Sequence, residues 1–309
     1  LFMNKKKKIR VIGIESSCDE TSVSIVEKSW KKINVLSNVV KSQIDIHQYY
    51  GGVVPELAAR AHSDIIDKLV QLAVDKAKIS FKKIDAIAST AGPGLLGGLL
   101  VGVVAGKTLA HLLNKPFIAI NHLEGHALSI MLERDIEYPY LLLLVSGGHT
   151  EFTIIKNFNS YKRIGTTIDD ALGEAFDKTA RLLKLGYPGG PEIEKAGING
   201  NPKAINFPRS LLGNNSLDFS YSGLKTSLLY FMDKNNKDKV FSTEDIASSY
   251  QEAIIDALCT KLKRAVKFTK TERCVIAGGV AANARLRKKI KRSLSIDLYF
   301  PSLKYCTDN

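Results

Sequence analysis

The sequence predicts two related α/β domains, residues 1–135 and 136–309. Three observations carry that prediction. A buried strand, a small polar loop and an amphipathic strand occur twice, once as VIGIESSCDETSVSIV and once as LLLLVSGGHTEFTII, so one architectural unit is used twice. Short apolar strands alternate with stretches of helical period along both halves. Small, glycine-rich or polar turns follow several of these strands, as they do where open α/β sheets hold ligands beyond strand carboxyl ends.

Residues 10–15 read as a buried strand, 16–20 as a polar turn and 21–27 as a second, alternating strand. Residues 55–78 have helical period, with Leu57, Ala61, Ile65, Leu69 and Leu72 on one face. A strand over 84–89 turns through 91–94 into an apolar helix that runs to about residue 113. Its apolar stretch is broken by Lys107, short of the ~20 residues of a membrane span, so a buried helix is expected. Pro116 restarts a strand over 117–120, and Asn121 stands as N-cap of a following helix.

The pattern then begins again, with strands over 140–145 and 150–155 around a tight turn at 146–149. Helices are expected over most of 169–185, 243–268 and 280–294, and a strand over 274–277 ends in Gly278 and Gly279. Most of 186–220 reads as loop. The loops 16–20, 91–94, 146–149 and 278–283 should converge on a cleft between the domains. Bare backbone there can approach a phosphate without a Cβ in the way, and helix N-termini add favourable dipoles.

Composition fits a soluble globular protein, with 45% apolar and 24% charged residues. The basic start, Lys5 to Lys8, has no apolar h-region after it, so no secretory signal is expected. None of the four cysteines, Cys18, Cys259, Cys274 and Cys306, forms a CxxC pair. A disulfide framework or zinc ribbon is therefore not expected, and a reducing, cytoplasmic setting fits. A net charge of +13 favours a polyanionic partner such as nucleic acid, although solvated lysines would give the same number. Lysines and arginines crowd 261–270 and 285–292, as exposed helix faces that could meet phosphates.

Two nucleotide motifs fail on inspection. Gly92, Gly94 and Gly97 match GxGxxG after a strand, but Pro93 stiffens the turn and Asn121 ends the next strand where a ribose-binding acid is expected. Gly106, Lys107 and Thr108 end like a phosphate-binding loop, but Val101 replaces the first glycine. The stretch NHLEGHALS is more specific. His122 and His126 are four apart and share one helix face, so they can share a metal ion. Glu124 lies about 200° around the helix from His122, away from such an ion, unlike the base of a HExxH protease. Two histidines make half a site, and the spacing alone also arises by chance.

GIESSCDETSVSIV, GGVVPELAARAH, TAGPGLLGGLLVG, NHLEGHALS, LLVSGGHT, DDALGEAFDKTARLL, YPGGP, DFSYSGLKT, AGGVAANARLR and YCTDN stand in one order over nearly the whole chain. Together they resemble the TsaD family, bacterial relatives of the catalytic subunit of the KEOPS complex, formerly called O-sialoglycoprotein endopeptidases. The resemblance implies the two-domain fold of actin, sugar kinases and heat-shock ATPases (the ASKHA fold), with a duplicated βαβ core and an interdomain cleft. It implies transfer of threonylcarbamoyl from threonylcarbamoyl-adenylate to N6 of the adenosine 3′ of the anticodon in tRNAs reading ANN codons. It also implies a shorter paralogue, TsaB, and an ATPase, TsaE, as partners.

By the same resemblance one divalent ion, Fe2+ or alternatively Zn2+, is held by His122, His126 and Asp308. Leu144, Val145, Ser146, Gly147 and Gly148 line the adenylate, together with Asp177, Gly190, Glu194 and Asn283, with ribose hydroxyls as partners for Glu194. Asp19 and Glu20 are candidate bases for the attacking amine, with turn capping as their alternative role. The family continues past the CTDN motif and this sequence stops at Asn309, so Asp308 is expected to be loosely held and the metal weakly bound.

Overall fold

In a computed structural model, which describes residues 8–30, 32–213, 215–238 and 240–307, the apolar and alternating stretches become two five-stranded sheets. They belong to two units, one ending at Asp135 and the other spanning Ile136–Thr307. In the first unit the strands are β1 (Lys8–Glu15), β2 (Glu20–Ser29), β3 (Lys32–Ser42), β4 (Ala86–Gly92) and β5 (Phe117–Asn121), in the order β3-β2-β1-β4-β5. β1, β2 and β3 form an antiparallel meander, and β4 and β5 add on parallel to β1. The helices are α1 (Ile44–His47), α2 (Pro55–Ala77), α3 (Leu96–Leu113) and α4 (His122–Leu128).

The second unit has β6 (Tyr140–Val145), β7 (Thr150–Asn157), β8 (Ser160–Thr166), β9 (Arg273–Ala277) and β10 (Asp297–Tyr299), in the order β10-β9-β6-β7-β8. β6, β7 and β8 again form the meander and β9 and β10 the parallel extension. Strand for strand this is the plan of the first sheet, which is the duplication read from the sequence. Its helices are α5 (Leu172–Leu182), α6 (Gly189–Ala196), α7 (Ser222–Asp238), α8 (Thr243–Thr269) and α9 (Ala284–Ser293).

Each sheet has its own core. In the first unit Ile12, Ile14, Val23, Ile25 and Ile87 meet Ile66, Leu69, Ala73 and Val74 of α2. In the second, every residue of β6 is buried, as a run of Leu between covered faces requires, and Phe176, Tyr250, Ile254 and Leu258 pack over the sheet. Fully burying each such side chain stabilises by about 1.5–3 kcal/mol.

The structure departs from expectation at α3. Its inward face is small, with Gly98, Gly102, Gly106 and Ala110 buried, while Leu96, Leu100, Val104 and Leu112 are exposed. The glycines let the helix axis approach the sheet closely: a Cβ on Gly102 would lie 2.2 Å from Ser16 Oγ, and one on Gly106 would lie 2.9 Å from the Phe117 ring. The helix thus buries mainly small residues, with Leu99 beside them, and the expected buried helix is buried on one face only. By length and composition α3 is also long and apolar enough to cross a membrane.

Candidate active site

β1, β4 and β5 are adjacent and parallel, so their carboxyl ends lie side by side. β5 hands over to α4 as predicted: the Asn121 side chain accepts the Leu123 N–H at 2.8 Å and the Glu124 N–H at 3.4 Å. His122 opens α4 and His126 follows one turn later. Their rings meet edge to face with centroids 4.7 Å apart, and both are buried, at 7% and 5% exposure. Glu124 is half-buried rather than buried with them.

Behind His122 stands a residue that the sequence offered only as a strand end, Glu15 of β1. Its carboxylate accepts the Ser17 N–H at 2.5 Å and the Thr90 hydroxyl at 2.5 Å, and its Oε2 lies 3.3 Å from His122 Nδ1. Ser17 Oγ also lies 3.3 Å from that nitrogen. Burial by itself would raise the Glu15 pKa. The hydrogen bond and charge of His122, with the bonds from Ser17 and Thr90, outweigh it and hold the carboxyl below its ordinary range. An ionised Glu15 accepts the Nδ1 proton of His122 and so directs the lone pair to Nε2. That is the arrangement by which proteins orient and enrich an imidazole ligand.

The donor set therefore suits a divalent cation: two buried, neighbouring imidazoles, one backed by a carboxylate. Among the described residues no group of three His, Cys, Asp or Glu converges. Asp308, the expected third ligand, lies outside the described residues.

The loop after β1 is held from below. The buried His62 of α2 meets the Cys18 carbonyl through Nε2 at 3.0 Å, while its Nδ1 faces Thr21 Oγ1 at 2.7 Å and Gln43 Nε2 at 3.2 Å. Gln43 Oε1 is in turn 3.1 Å from Nε2 of buried His47, and the Gln43 N–H donates to the Asp19 carbonyl at 3.0 Å. Burial pushes the His62 pKa down, which keeps the ring neutral with Nε2–H as the donor to Cys18. Asp19 and Glu20 stand half-buried at this turn, Glu20 opening β2. Two glycines of the GxGxxG match are close-packed, since a Cβ on Gly94 would lie 2.7 Å from Ser17 and one on Gly97 would lie 2.8 Å from the Ala59 Cβ; outside the match, one on Gly98 would lie 2.3 Å from the Ser16 carbonyl oxygen.

In the second unit the equivalent strand ends carry bare backbone. The 146–149 turn is closed by the Ser146 N–H donating to the His149 carbonyl at 2.8 Å and the His149 N–H donating to Ser146 Oγ at 3.1 Å. It is docked on α5, whose Gly173 and Glu174 N–H groups donate to the Ser146 and Gly147 carbonyls. The two glycine doublets part company here. Gly278, at φ 95°, needs to be glycine for the turn itself, and a Cβ on it would meet the Val145 carbonyl at 2.4 Å. Gly147, Gly148, Gly190 and Gly279 face open space, where turn geometry gives no reason for glycine.

Leu144 and Val145 have fully buried side chains, so only their backbone is offered. Asp177 Oδ1 accepts the Gly189 N–H at 2.7 Å and ties α6 to α5. Glu194 Oε1 accepts the Ala284 N–H at 2.8 Å. Asn283 caps α9 through the Leu286 N–H at 2.8 Å and donates to Gln251 Oε1 at 2.7 Å. Glu194 and Asn283 thus meet at the start of α9 and serve to build it.

The family model of TsaD, described as tRNA N6-adenosine threonylcarbamoyltransferase, matches residues 34–309. The chain belongs to the TsaD family. A tRNA N6-adenosine threonylcarbamoyltransferase of Kosmotoga olearia is 53% identical over 97% of this chain and 90% of its own length. One of Bartonella bacilliformis is 48% identical over 97% of this chain and 87% of its own. Among solved structures, HypF of T. kodakarensis matches 97% of this chain with a TM-score of 0.66 at 14% identity. This chain spans 46% of that HypF chain. Component A of Acidaminococcus fermentans (R)-2-hydroxyglutaryl-CoA dehydratase matches 96% of this chain and 92% of its own, with a TM-score of 0.56 at 13% identity. At such identities the likeness is one of fold, the actin-like α/β fold with two duplicated units.

Proposed function

We propose that this TsaD-family chain takes threonylcarbamoyl from threonylcarbamoyl-adenylate and places it on N6 of the adenosine 3′ of the anticodon in tRNAs reading ANN codons. As a member of the family it is a transferase acting on tRNA and yielding threonylcarbamoyladenosine. The observation that carries the residue assignment is the His122–His126 pair on α4, directly after β5, backed by Glu15 of β1.

His122 and His126, with Asp308, would hold one divalent ion, Fe2+ or Zn2+, which supplies Lewis acidity and orients a substrate oxygen. Glu15 keeps the Nδ1 proton on His122 throughout. The open glycines Gly147, Gly148, Gly190 and Gly279 admit the phosphate of the adenylate to the backbone. The adenosine amine attacks the carbamoyl carbon, AMP leaves, and Asp19 or Glu20 takes the amine proton. The base must be presented out of the anticodon stack to be reached. A TsaB-like paralogue and a TsaE-like ATPase complete the system, and four cysteines without a CxxC pair fit a cytoplasmic setting.

The test is reconstitution with an adenylate-forming synthase, the two partners and unmodified tRNA, followed by nucleoside mass spectrometry. Threonylcarbamoyladenosine that forms only with the chain present is expected. Its absence with every component active would sink the reading, as would full activity in His122→Ala for the metal assignment.

A further inference from the structure

The carboxyl half of α8 and all of α9 are rich in basic residues. Residues 257–270 hold five Lys or Arg and residues 284–293 hold six, and neither stretch holds an acid. Five of these cations have work inside the fold. Buried Lys261 donates to the Ser216 carbonyl, Arg264 to the Leu212 carbonyl, and Arg287 to the Ala281 and Pro301 carbonyls. Arg285 and Lys289 pair with Glu252 and Asp256 of the amino half of α8.

That leaves Lys263, Lys267, Lys270, Lys288, Lys291 and Arg292. All six are exposed, and none pairs with a carboxylate among the described residues. Lys263 and Lys267 share one face of α8 at i, i+4, with Lys270 as its C-cap, and Lys288, Lys291 and Arg292 share one face of α9 at i, i+3, i+4. The bridges fix the register between the helices. Arg285 reaches Glu252, and Lys289, one turn later, reaches both Glu252 and Asp256. The helices therefore run side by side in one direction, and Lys291 and Arg292 come level with residues 258 and 259 of α8, one turn before Lys263. Like charges at this spacing repel and cost the free protein stability. A bound polyanion would relieve that cost.

We propose that this α8–α9 face is where the phosphate backbone of the tRNA lies. The proposal rests on the tRNA-modifying reading above and adds the surface that positions the substrate. The contacts are to phosphate, so they set affinity and orientation and leave sequence to other elements.

The test compares two variants of the full chain with equal charge loss. One carries Lys263→Gln, Lys267→Gln, Lys288→Gln and Arg292→Gln. The other carries Lys68→Gln, Lys76→Gln, Lys82→Gln and Lys83→Gln, at exposed positions of the first unit. Unmodified tRNA is titrated by fluorescence anisotropy between 50 and 200 mM salt, concentrations chosen for the assay, and thermal melts check both folds. Each lost phosphate contact removes about 0.7–0.9 from the slope of log K against log salt, so the first variant should lose about 3 and the second should keep the parental slope. An unchanged slope in the first variant, or equal losses in both, overturns the surface and leaves the function standing. So does a first variant that loses only binding to anionic phospholipid vesicles. A parent protein that binds no tRNA overturns the function and the surface together.

Discussion

Replacing Glu15 by Gln keeps the size of the side chain and removes its charge. The carboxylate faces three groups: the Ser17 N–H, the Thr90 hydroxyl and His122 Nδ1. A carboxamide has one accepting oxygen, and its NH2 only donates. With the oxygen toward Ser17, the NH2 faces Thr90 and His122. The threonine hydroxyl can rotate to accept. The imidazole can accept only by moving its proton to Nε2, the nitrogen that should bind metal. Loss of such a partner behind a histidine ligand costs roughly 10–100-fold in metal affinity. At 3.3 Å the His122 contact is long, which places the expectation near tenfold, or about 1.4 kcal/mol. Competition for Zn2+ against a chromophoric chelator measures it, and melts of metal-free protein separate it from any change in folding. If Glu15→Gln binds metal within about twofold of the parent while His122→Ala has lost it, the orienting role is wrong.

Three further outcomes are expected. Gly98→Ala should lower the melting temperature, because the new methyl meets the unyielding Ser16 carbonyl at 2.3 Å, whereas Gly125→Ala, with nothing within 4 Å, should raise it through about 0.5–1 kcal/mol of helix propensity; the reverse order would refute the packing account of α3. In Asp256, burial is outweighed by hydrogen bonds from Lys289 and Arg209, and the carboxyl is held below its usual range. Its contribution is therefore present above the unfolded value of about 3.9 and is lost as pH falls through the lower folded value. Asp256→Asn should cost about 1–3 kcal/mol near neutrality, with the gap to the parent closing in urea melts below about pH 4. A gap independent of pH would show that the ion pairs contribute nothing. Finally, Cys259, Cys274 and Cys306 are buried, and burial pushes the Cys259 thiol up to about 11. Only half-buried Cys18 should react quickly with an aromatic disulfide in the native protein, and mass mapping of a second fast thiol would contradict the burial pattern.

What was legible in the sequence were features with a local signature. The repeated strand–loop–strand unit predicted β1, β2, β6 and β7, and Asn121 announced the start of α4. The edge strands β3 and β8 and the short β10 were not read. β8 is the polar stretch SYKRIGT, held by pairing to β7 alone, and β10 has three residues. α6 starts on two glycines and a proline, a poor helix opening that Asp177 and the burial of Ile193 make good. The expected helix over 280–294 begins only at Ala284, because Asn283 caps it there and 279–282 form a tighter turn. In the site, the histidine pair carried its own spacing. Glu15, Thr90, His62, Gln43 and His47 did not, since their bonds join residues up to 107 positions apart. A charged residue closing an otherwise apolar strand was the one available sign of Glu15.

The two sheets share one strand order, so their strand ends began as equivalent positions, and what now stands there differs in kind. At the ends of β1, β4 and β5 the first unit presents side chains: a carboxylate held ionised, a hydroxyl and two imidazoles. These are lone-pair donors and suit a cation. At the ends of β6 and β9 the second unit presents glycines with no Cβ to keep a ligand off the backbone. Amide N–H groups suit an anion. One duplicated scaffold thus carries polar side chains at the strand ends of one unit and bare main chain at those of the other. Exchanging them would fail on simple grounds: a carboxylate beside Gly147 would repel any anion drawn to the bare amides, and glycine at position 15 would leave His122 without its proton acceptor.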